Sequence, residues 1–168
     1  MATREIIERW NSTTGREDAV LGDALVADPN AEKLHEVVSD RADLTRRLDH
    51  FLTESESIIP EASKALACGD LERFGRMADE SQRAAEDLLG NQVPQTSALA
   101  RIARELGATG ATSFGAGFGG SVWALVPNAE APEFASTWLG KYRDEYSEEA
   151  GQAVTVVTRP GPSARRLD

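Results

Sequence analysis

The sequence predicts an α+β domain in which several helices pack with a small antiparallel sheet. Helical periodicity fills most of the first 110 residues, and short β-branched runs appear only after them. The length of 168 residues fits one domain with a substantial core and is too short for two. We therefore expect residues 1–168 to form a single domain in which about residues 1–30 are a helical lead-in.

The first strong helical signal lies in residues 31–52. Its apolar residues recur at spacings of three and four, with a single gap at Arg41, so one amphipathic helix is expected there. Pro60 follows, and a proline either ends or kinks a helix or occupies the first turn of the next one. The sequence therefore predicts a helix boundary close to Pro60.

Two further helices are expected before the sheet. Gly69 and Asp70 are typical of a helix stop followed by a new N-cap. An apolar stripe then runs through residues 71–89 and ends at the sequence GNQVP. The last of these helices is predicted at about residues 96–106, with Gly107 as its left-handed stop.

The sheet is predicted around a glycine-rich connection. The run SVWALV, residues 121–126, contains β-branched and aromatic residues between glycines and Pro127, which favours a buried strand. Helical spacing returns in residues 131–146, and AVTVVT, residues 153–158, is expected to be the last strand. The order of several helices, then strand, strand, helix and strand, predicts the α+β class.

Composition excludes several classes of partner. The formal net charge is −10, which repels nucleic acids and anionic lipid surfaces. The first residues lack the apolar core of a signal peptide, and the sequence has no apolar run of the roughly 20 residues that cross a bilayer. The single cysteine, Cys68, cannot form an intramolecular disulfide, and no Cys/His metal cluster is recognisable. A soluble, cytoplasmic protein with small-molecule or protein partners is expected.

Several side chains outside the glycine-rich connection are candidates for chemistry, yet structural roles are favoured for them. His50 and Glu54 share one helix face, where a hydrogen bond is favoured over acid/base or metal chemistry. His35 is expected on a helix surface, and Cys68 among apolar neighbours is expected to be a buried, inert thiol. A group of acidic residues is interpreted as a solvated face rather than as Mg²⁺ ligands, and three aromatic residues are assigned mostly to the core. The acidic residues are Asp79, Glu80, Glu86 and Asp87, and the aromatic residues are Trp123, Trp138 and Phe118.

The segment 110–127, GATSFGAGFGGSVWALVP, holds five glycines within its first eleven residues. Gly115, Gly117 and Gly120 satisfy G-x-G-x-x-G, but a strand follows them where a dinucleotide-binding fold needs a helix. No Lys followed by Ser or Thr completes a Walker loop either. A two-residue hairpin needs only one or two glycines, and successive exposed amides bind anions. The spacing therefore leaves two interpretations open, a ligand-approach loop and a simple connection between strands.

This segment resembles the third conserved motif of the GHMP kinase family, in the form of its galactokinase branch, where a Gly-Ala-Gly-Phe-Gly-Gly core precedes a strand that ends in Pro. The resemblance extends upstream. Residues 47–82 contain a similar Arg, His and Glu arrangement and a Gly-Asp-Leu turn, and residues 91–111 contain a similar Pro-led helix. Together the resemblance covers at least residues 40–127.

The sequence departs from the family pattern at three positions. Phe114 stands where the galactokinase branch usually has a small hydroxyl residue, and Ser121 stands where Cys is common. Gln82 stands where a His often follows a Glu-Ser pair. These departures bear on sugar specificity more than on membership of the family.

The resemblance implies a ferredoxin-like α+β fold whose glycine-rich connection faces the cleft where sugar and ATP meet. The family's sugar-binding motif and its Ser-rich phosphate motif belong to an N-terminal half that is not found in this sequence. We therefore expect a C-terminal domain that is separated from this half and is inactive alone. The catalytic base and the Mg²⁺ ligands are expected in the other half, so no catalytic or metal-binding residue is assigned in this chain.

The function implied for the parent protein is that of an ATP-dependent sugar 1-kinase, converting galactose and ATP to galactose 1-phosphate and ADP. Two alternatives stay open. One is a kinase for arabinose, galacturonate or a related sugar, and the other is a non-catalytic module that binds a sugar or forms a homodimer through the exposed cleft face. Phe118 is a candidate for shaping the sugar pocket. The residues implied to bind sugar and nucleotide are Gly115, Ala116, Gly117, Phe118, Gly119, Gly120 and Ser121.

Overall fold

The computed structural model describes residues 2–115 and 117–161. Helices account for most of the chain up to residue 105, and a two-stranded antiparallel sheet follows them. The predicted α+β class, with a small antiparallel sheet packed by several helices, is therefore confirmed. In the described residues the helices are α1 (Ala2–Thr14), α2 (Leu21–Ala27), α3 (Glu32–Val38), α4 (Ala42–Leu52), α5 (Ile59–Cys68), α6 (Leu71–Ala84), α7 (Pro94–Glu105) and α8 (Ala131–Glu145), and the strands are β1 (Gly110–Phe114) and β2 (Ser121–Leu125).

Two π-helical turns interrupt the α-helical geometry. The first, Thr53–Ile58, joins α4 to α5, and the second, Ala85–Leu89, extends α6 as far as Gly90. Such turns are rare and are enriched at functional sites. A single 3-10 turn, Glu149–Gln152, is described after α8. Over residues 2–115 and 117–161, no helix is both long and apolar enough to cross a membrane.

The helix ends predicted from glycine, aspartate and proline are confirmed. Gly69 ends α5 in the left-handed conformation, with φ of 72°, and Asp70 caps α6 by accepting a hydrogen bond from the Arg73 backbone N–H at 2.9 Å. Gly107 follows α7 with φ of 91°. Pro60 lies in the first turn of α5, next to the π-helical turn Thr53–Ile58, and the backbone stays helical across this junction.

The single helix expected over residues 31–52 is wrong, because the chain forms α3 and α4 with a break at residues 39–41. Ser39 Oγ donates a hydrogen bond to the Glu36 carbonyl oxygen at 2.8 Å, and Arg41 has an extended backbone with φ of −130°. Serine and aspartate side chains compete with helical hydrogen bonds in this way. The gap in the apolar pattern at Arg41 therefore marks a helix break.

The first four helices enclose one hydrophobic cluster. Trp10 is 3% exposed, and its indole N–H donates to Asp18 Oδ2 at 2.7 Å, so the ring is buried with its polar atom satisfied. The Arg16 guanidinium also binds Asp18, and these two donors, Arg16 first, lower the pKa of the Asp18 carboxyl group. The buried members of the cluster are Ile6, Ile7, Trp10, Leu21, Ala24, Ala31, Leu34, Val38, Leu44 and Leu48.

The predicted position of His35 on a helix surface is confirmed, and its side chain also joins α3 to α4. Its Nδ1 contacts the Ala31 carbonyl oxygen at 2.8 Å, its Nε2 contacts Asp49 Oδ1 at 2.7 Å, and its side chain is 40% exposed. Both partners are acceptors, so the imidazolium ion, which has two N–H groups, satisfies them best. The hydrogen bond to Asp49 accordingly raises the pKa of His35 above its ordinary value.

We expect the stability contributed by His35 to be lost as the pH rises. Because its pKa is raised in the folded protein, the contribution is fully present below the unfolded pKa of about 6.5 and disappears as the pH passes through the folded pKa. The pair is partly exposed, so the difference in unfolding free energy between wild type and His35→Gln should not exceed about 1 kcal/mol. Urea denaturation of both proteins from about pH 5 to pH 9 measures this difference.

His50→Gln is the contrasting control for this measurement. Burial lowers the pKa of His50 in spite of the nearby Glu54 carboxylate. Its protonation therefore opposes folding, so the His50 contribution is unfavourable at low pH and vanishes above the unfolded pKa. The two variants should consequently change the pH dependence of stability in opposite directions. A His35→Gln difference that is constant across the pH range would contradict the role given to the Asp49 hydrogen bond.

The sheet is a layer between α6 on one side and α7 with α8 on the other. β1 and β2 pair in a register that places Thr112 opposite Trp123 and Ala111 opposite Ala124. On the α6 side, Trp123 stacks on Phe74 with ring centroids 6.1 Å apart. On the other side, Ala111 and Ala124 belong to a cluster with residues of α7 and α8. The strand predicted at residues 121–126 is therefore confirmed as β2.

Trp138, which was predicted to lie in the core, is partly buried and packs against the apolar clusters under α8. Trp123, also predicted to lie in the core, is partly exposed and is not a member of these clusters. Trp138 lies 5.7 Å from Phe134, centroid to centroid, and belongs to both apolar clusters under α8. Its indole N–H donates to the Leu99 carbonyl oxygen at 2.9 Å. These contacts join α8 to α7 and cover one face of the sheet.

α6 approaches β1 so closely that two glycines face each other. A Cβ at Gly110 would lie 3.0 Å from the Gly75 Cα, and a Cβ at Gly75 would overlap the Thr109 carbonyl oxygen. A helix and a strand meet at this separation only where both lack side chains. α6 therefore gives direct backbone support to the strand that leads into the glycine-rich connection.

The strand expected at residues 153–158 is wrong, since no strand pairing forms there. Ala153 packs against the cluster under α8, whereas Val154 and Val156 are each 81% exposed. A strand needs a neighbouring edge to satisfy its backbone groups. In the described residues β1 and β2 pair only with each other, so the strand propensity of this segment is not realised.

Candidate functional site

The connection between β1 and β2 follows a backbone path that favours glycine. Gly115, Gly117, Gly119 and Gly120 have φ between 82° and 111°. A residue with a Cβ meets a steric penalty in this range. We call residues 115–120 the glycine loop. The path of the backbone therefore favours glycine at four of the six loop positions, whereas a two-residue hairpin needs only one or two glycines.

Phe118 is the non-glycine exception in the described part of the loop. Its φ is 59°, which is uncommon for a bulky residue, and the residue is 76% exposed. The expectation that Phe118 belongs to the core is therefore wrong, because the loop carries its ring away from the packed faces of the sheet. Phe114 at the end of β1 is also exposed, at 57%. Two exposed phenyl rings thus accompany the glycine loop.

The segment after α6 anchors the centre of the glycine loop. The Phe118 backbone N–H donates to the Asn91 carbonyl oxygen at 2.5 Å. Gly117 passes so close that a Cβ there would overlap both the carbonyl oxygen and the side chain of Asn91. Asn91 is 8% exposed, and its Oδ1 accepts a hydrogen bond from Gln92 Nε2 at 2.9 Å. The loop is therefore held against a buried residue.

A second anchor fixes the end of β1. Gln82 of α6 is 6% exposed, and its Oε1 accepts hydrogen bonds from Thr112 Oγ1 at 2.9 Å and from the Ser113 backbone N–H at 2.8 Å. Its Nε2 donates to Glu86 Oε1 at 2.8 Å. A buried carboxamide with partners on both sides is a rigid link. It holds β1 two residues before the glycine loop begins.

The structure brings the described residues of the predicted site together in one short segment. Gly115 and residues 117–120 lie between the strands, and the exposed Ser121 begins β2. Ala116, the remaining predicted residue, lies outside the described residues. No residue from 115 to 121 carries a charge. The polar groups that this segment offers are therefore backbone groups and the Ser121 hydroxyl, and the Phe118 N–H among them is already bound to Asn91.

His50 and Glu54 make structural contacts, as predicted. His50 Nδ1 lies 3.2 Å from the Arg47 guanidinium, and Glu54 Oε1 accepts a hydrogen bond from Ser81 Oγ at 2.7 Å. Glu54 belongs to the first π-helical turn, so its bond to Ser81 ties this turn to α6. The arrangement links helices and presents no nucleophile with an oriented base.

Two of the four acidic residues considered as Mg²⁺ ligands have protein partners, and the other two, Glu80 and Asp87, are exposed. Asp79 forms an ion pair with Arg104 of α7 at 2.9 Å, and Glu86 binds Gln82. Among residues 2–115 and 117–161, no three His, Cys, Asp or Glu side chains are grouped as metal ligands would be. The acidic residues thus serve to link helices or contact solvent.

The expectation that Cys68 is a buried thiol is wrong, since its side chain is exposed. α5 buries only Ala65, and its apolar Ile59 and Leu66 are 60% and 53% exposed. Apolar neighbours in the sequence therefore do not indicate burial here, because the face of α5 that carries Cys68 is not covered by another described element.

An open groove of about 700 Å³ lies between α6 and α7, beside the Ala111 position of β1. Arg101 crosses its rim and binds Glu145 of α8 at 2.6 Å, a hydrogen bond that raises the pKa of the guanidinium. Arg104 binds both Asp79 and the Ala108 carbonyl oxygen. The described lining comes from α6 and the π-helical turn after it, from α7, from the end of α8 with Tyr146, and from β1, but not from the glycine loop. Ion pairs between helices thus line this groove.

Sequence reasoning missed the anchoring roles of Gln82 and Asn91. A signal existed for Gln82, because it lies four residues after the buried Ala78 and so interrupts the apolar face of α6 with a polar residue. A polar residue on a buried helix face must find hydrogen-bond partners. For Asn91 the sequence carries no comparable signal, since its contact depends on how the loop folds back.

Comparison with known proteins gives two results. Residues 61–144 match the family described as "GHMP kinases C terminal". A galactokinase from Lactococcus lactis, solved in complex with galactose, has a similar structure with a TM-score of 0.71 and 26% sequence identity. The similarity covers 87% of this chain and 36% of that chain. The chain thus spans about a third of the length of that galactokinase.

Proposed function

Because this chain belongs to the GHMP kinase family, we propose that it acts as the C-terminal domain of an ATP-dependent sugar 1-kinase of the galactokinase type. The proposed reaction transfers the γ-phosphoryl group of ATP to the anomeric hydroxyl of galactose and yields galactose 1-phosphate and ADP. In this proposal the chain contributes one wall of the active-site cleft and needs a further domain for activity.

The observation that carries the proposal is the glycine loop. Four of its described residues are glycines, which carry no side chain to cover the backbone, and its path is fixed by the contacts of residues 117 and 118 with Asn91. Phosphoryl transfer depends mainly on positioning and on hydrogen-bond donors directed at the transferred group. A preformed loop of this kind suits that task better than a mobile connection.

ATP and Mg²⁺ are the cofactors of this proposal. The uncharged glycine loop fits phosphate oxygens, because its donors are backbone amides. Asp79 and Glu86 are engaged with Arg104 and Gln82, and no three acidic or other ligand side chains are grouped in the described residues. We therefore assign the Mg²⁺ ligands and the catalytic base to the domain that completes the cleft. When bound, Mg²⁺ neutralises charge on the phosphates.

The identity of the sugar is the finer part of the proposal. Galactose is favoured by the structural similarity to a galactokinase solved with that sugar. Phe114 and Phe118 place two exposed phenyl rings beside the loop, and such rings would alter the shape of a sugar pocket. Arabinose and galacturonate are therefore the alternative substrates to compare.

We expect sugar-dependent kinase activity when this chain is joined to a suitable N-terminal region. The test is a fusion in which the chain replaces the matching region of the Lactococcus lactis galactokinase, assayed for ADP release with galactose, arabinose and galacturonate. Galactose should give the highest kcat/KM. The isolated chain should be inactive, since the proposal assigns the base and the metal ligands elsewhere.

The unmodified Lactococcus lactis enzyme is the positive control, and its N-terminal region alone is the negative control. ADP release by the fusion that does not exceed the negative control with any of the sugars would contradict the proposal. Calorimetry of the isolated chain with galactose tests the alternative of a non-catalytic binding module. Clear binding of galactose by the chain alone would favour that alternative, and light scattering would reveal a homodimer.

A further inference from the structure

We propose that Gln82 is a positioning residue for the glycine loop, and that Glu86 sets the orientation in which Gln82 does this. The expected effect of Gln82 on catalysis rests on the function proposed above. Its structural part stands on contacts within this chain. Neither residue belongs to the glycine loop, and neither is assigned a role in binding sugar or nucleotide.

The orientation of the Gln82 carboxamide decides what it offers to β1. With the oxygen toward the strand, it accepts from Thr112 Oγ1 at 2.9 Å and from the Ser113 N–H at 2.8 Å. In the reverse orientation its NH₂ group would face the Ser113 N–H, and two donors would meet. Glu86 prevents this, because its carboxylate accepts a hydrogen bond from Gln82 Nε2 at 2.8 Å. A carboxylate accepts but cannot donate when it is ionised.

Both anchors of the glycine loop come from one continuous segment, residues 82–91. Gln82 holds the strand that enters the loop, and Asn91 holds the loop at residues 117 and 118. Glu86 lies between the two anchors, in the π-helical turn Ala85–Leu89. The segment thus forms a clamp, and its length sets where the loop lies relative to α6.

The clamp matters because the loop must have its shape before a ligand arrives. Phe118 has an unfavourable positive φ, and Gly117 touches Asn91. If β1 shifted relative to α6, Gly117 and the Phe118 N–H could not both keep their contacts with Asn91. Misplacement of a binding group by about 1 Å is enough to lower a rate by about 100-fold. We therefore infer that Gln82 controls the rate of phosphoryl transfer through the position of the loop.

The experiment compares amide hydrogen exchange in the 168-residue chain for wild type and four variants. Gln82→Leu keeps the size of the side chain and removes its hydrogen bonds. Gln82→Glu places a second carboxylate beside Glu86. The double variant Gln82→Glu with Glu86→Gln restores all three hydrogen bonds with the polarity of the pair exchanged. Asp87→Asn is the control, since it makes the same carboxylate-to-amide change as Glu86→Gln at an exposed neighbour.

We expect Gln82→Leu to speed exchange of the Ser113 amide by about tenfold, the effect of one lost hydrogen bond, and to speed exchange of the Phe118 amide as well. Gln82→Glu should also speed both, and the double variant should return both toward wild-type rates. Asp87→Asn should change neither. Restoration by the exchanged pair distinguishes positioning from general packing, because packing responds to volume and not to the direction of hydrogen bonds.

Wild-type exchange at Ser113 and Phe118 in Gln82→Leu would overturn the proposal. So would faster exchange in α1–α4 to the same degree, because it would mean global destabilisation, and so would failure of the double variant to restore protection. In the kinase fusion, Gln82→Leu and Gln82→Glu should lower kcat more than they raise the KM for galactose. The double variant should restore kcat toward wild type, and Asp87→Asn should leave it unchanged. An inactive wild-type fusion would count against the proposed function alone, since the exchange result does not depend on catalysis.

Discussion

Gly75→Ala is expected to lower the free energy of unfolding by about 3 kcal/mol, the largest effect on stability that we predict for a single substitution. The added Cβ would overlap the Thr109 carbonyl oxygen, which is backbone and cannot rotate away. α6 and β1 would have to separate, and the stack of Phe74 on Trp123 would loosen with them. Urea denaturation followed by tryptophan fluorescence measures the loss.

Gly140→Ala is the matched control for this prediction. Gly140 also lies within a helix, α8, but a Cβ there would meet no atom within 4 Å. Removing a glycine from an unobstructed helix should raise the free energy of unfolding by about 0.5 to 1 kcal/mol. The two substitutions are chemically identical and should have opposite signs. A loss below about 1 kcal/mol for Gly75→Ala would contradict the close packing of α6 on β1.

Much of the fold could be predicted from the sequence, because its signals are local. The stop at Gly69 and the cap at Asp70 depend on a few neighbouring residues, and so does the turn at Gly107. The strand β2 was predicted from a short apolar run bounded by glycines and Pro127. Local propensity and the final structure agree at these points, as expected for a foldable sequence.

The incorrect predictions concern features that depend on distant parts of the chain. Residues 153–158 have strand propensity, but a strand forms only where an edge is available to pair with it. Cys68 has apolar neighbours, but no other described element covers its face of α5. The break between α3 and α4 has a local cause. A short polar run at residues 39–41 interrupts the helix, although the apolar pattern continues on both sides of it.

In the candidate site, too, the local feature was predicted and the long-range contacts were not. The glycine loop was predicted from its composition and from a family resemblance, and the family membership is confirmed. Its anchors were not predicted, because Gln82 and Ser113 are 31 positions apart. The contact of Gly117 with Asn91 is also distant in sequence. The position of the loop is thus a property of the packing of α6 against β1, which periodicity does not reveal.

Gly117→Ala is the second substitution with a large expected effect. Its Cβ would overlap the Asn91 carbonyl oxygen and side chain, and the φ of 82° would itself be strained for alanine. The loop would move away from Asn91, and the hydrogen bond of the Phe118 amide would be lost or lengthened. Because the loop is exposed and lies outside the hydrophobic clusters, the fold should persist while the binding surface changes shape.

The galactose-dependent kcat/KM of the kinase fusion carrying Gly117→Ala, compared with the same fusion carrying Gly140→Ala, tests the central claim most directly. If the glycine loop forms the wall of a sugar kinase cleft, Gly117→Ala should lower kcat/KM by about 100-fold. The fusion with Gly140→Ala should retain wild-type activity. Activity of the Gly117→Ala fusion within about twofold of wild type would contradict the claim that this loop positions the reacting groups.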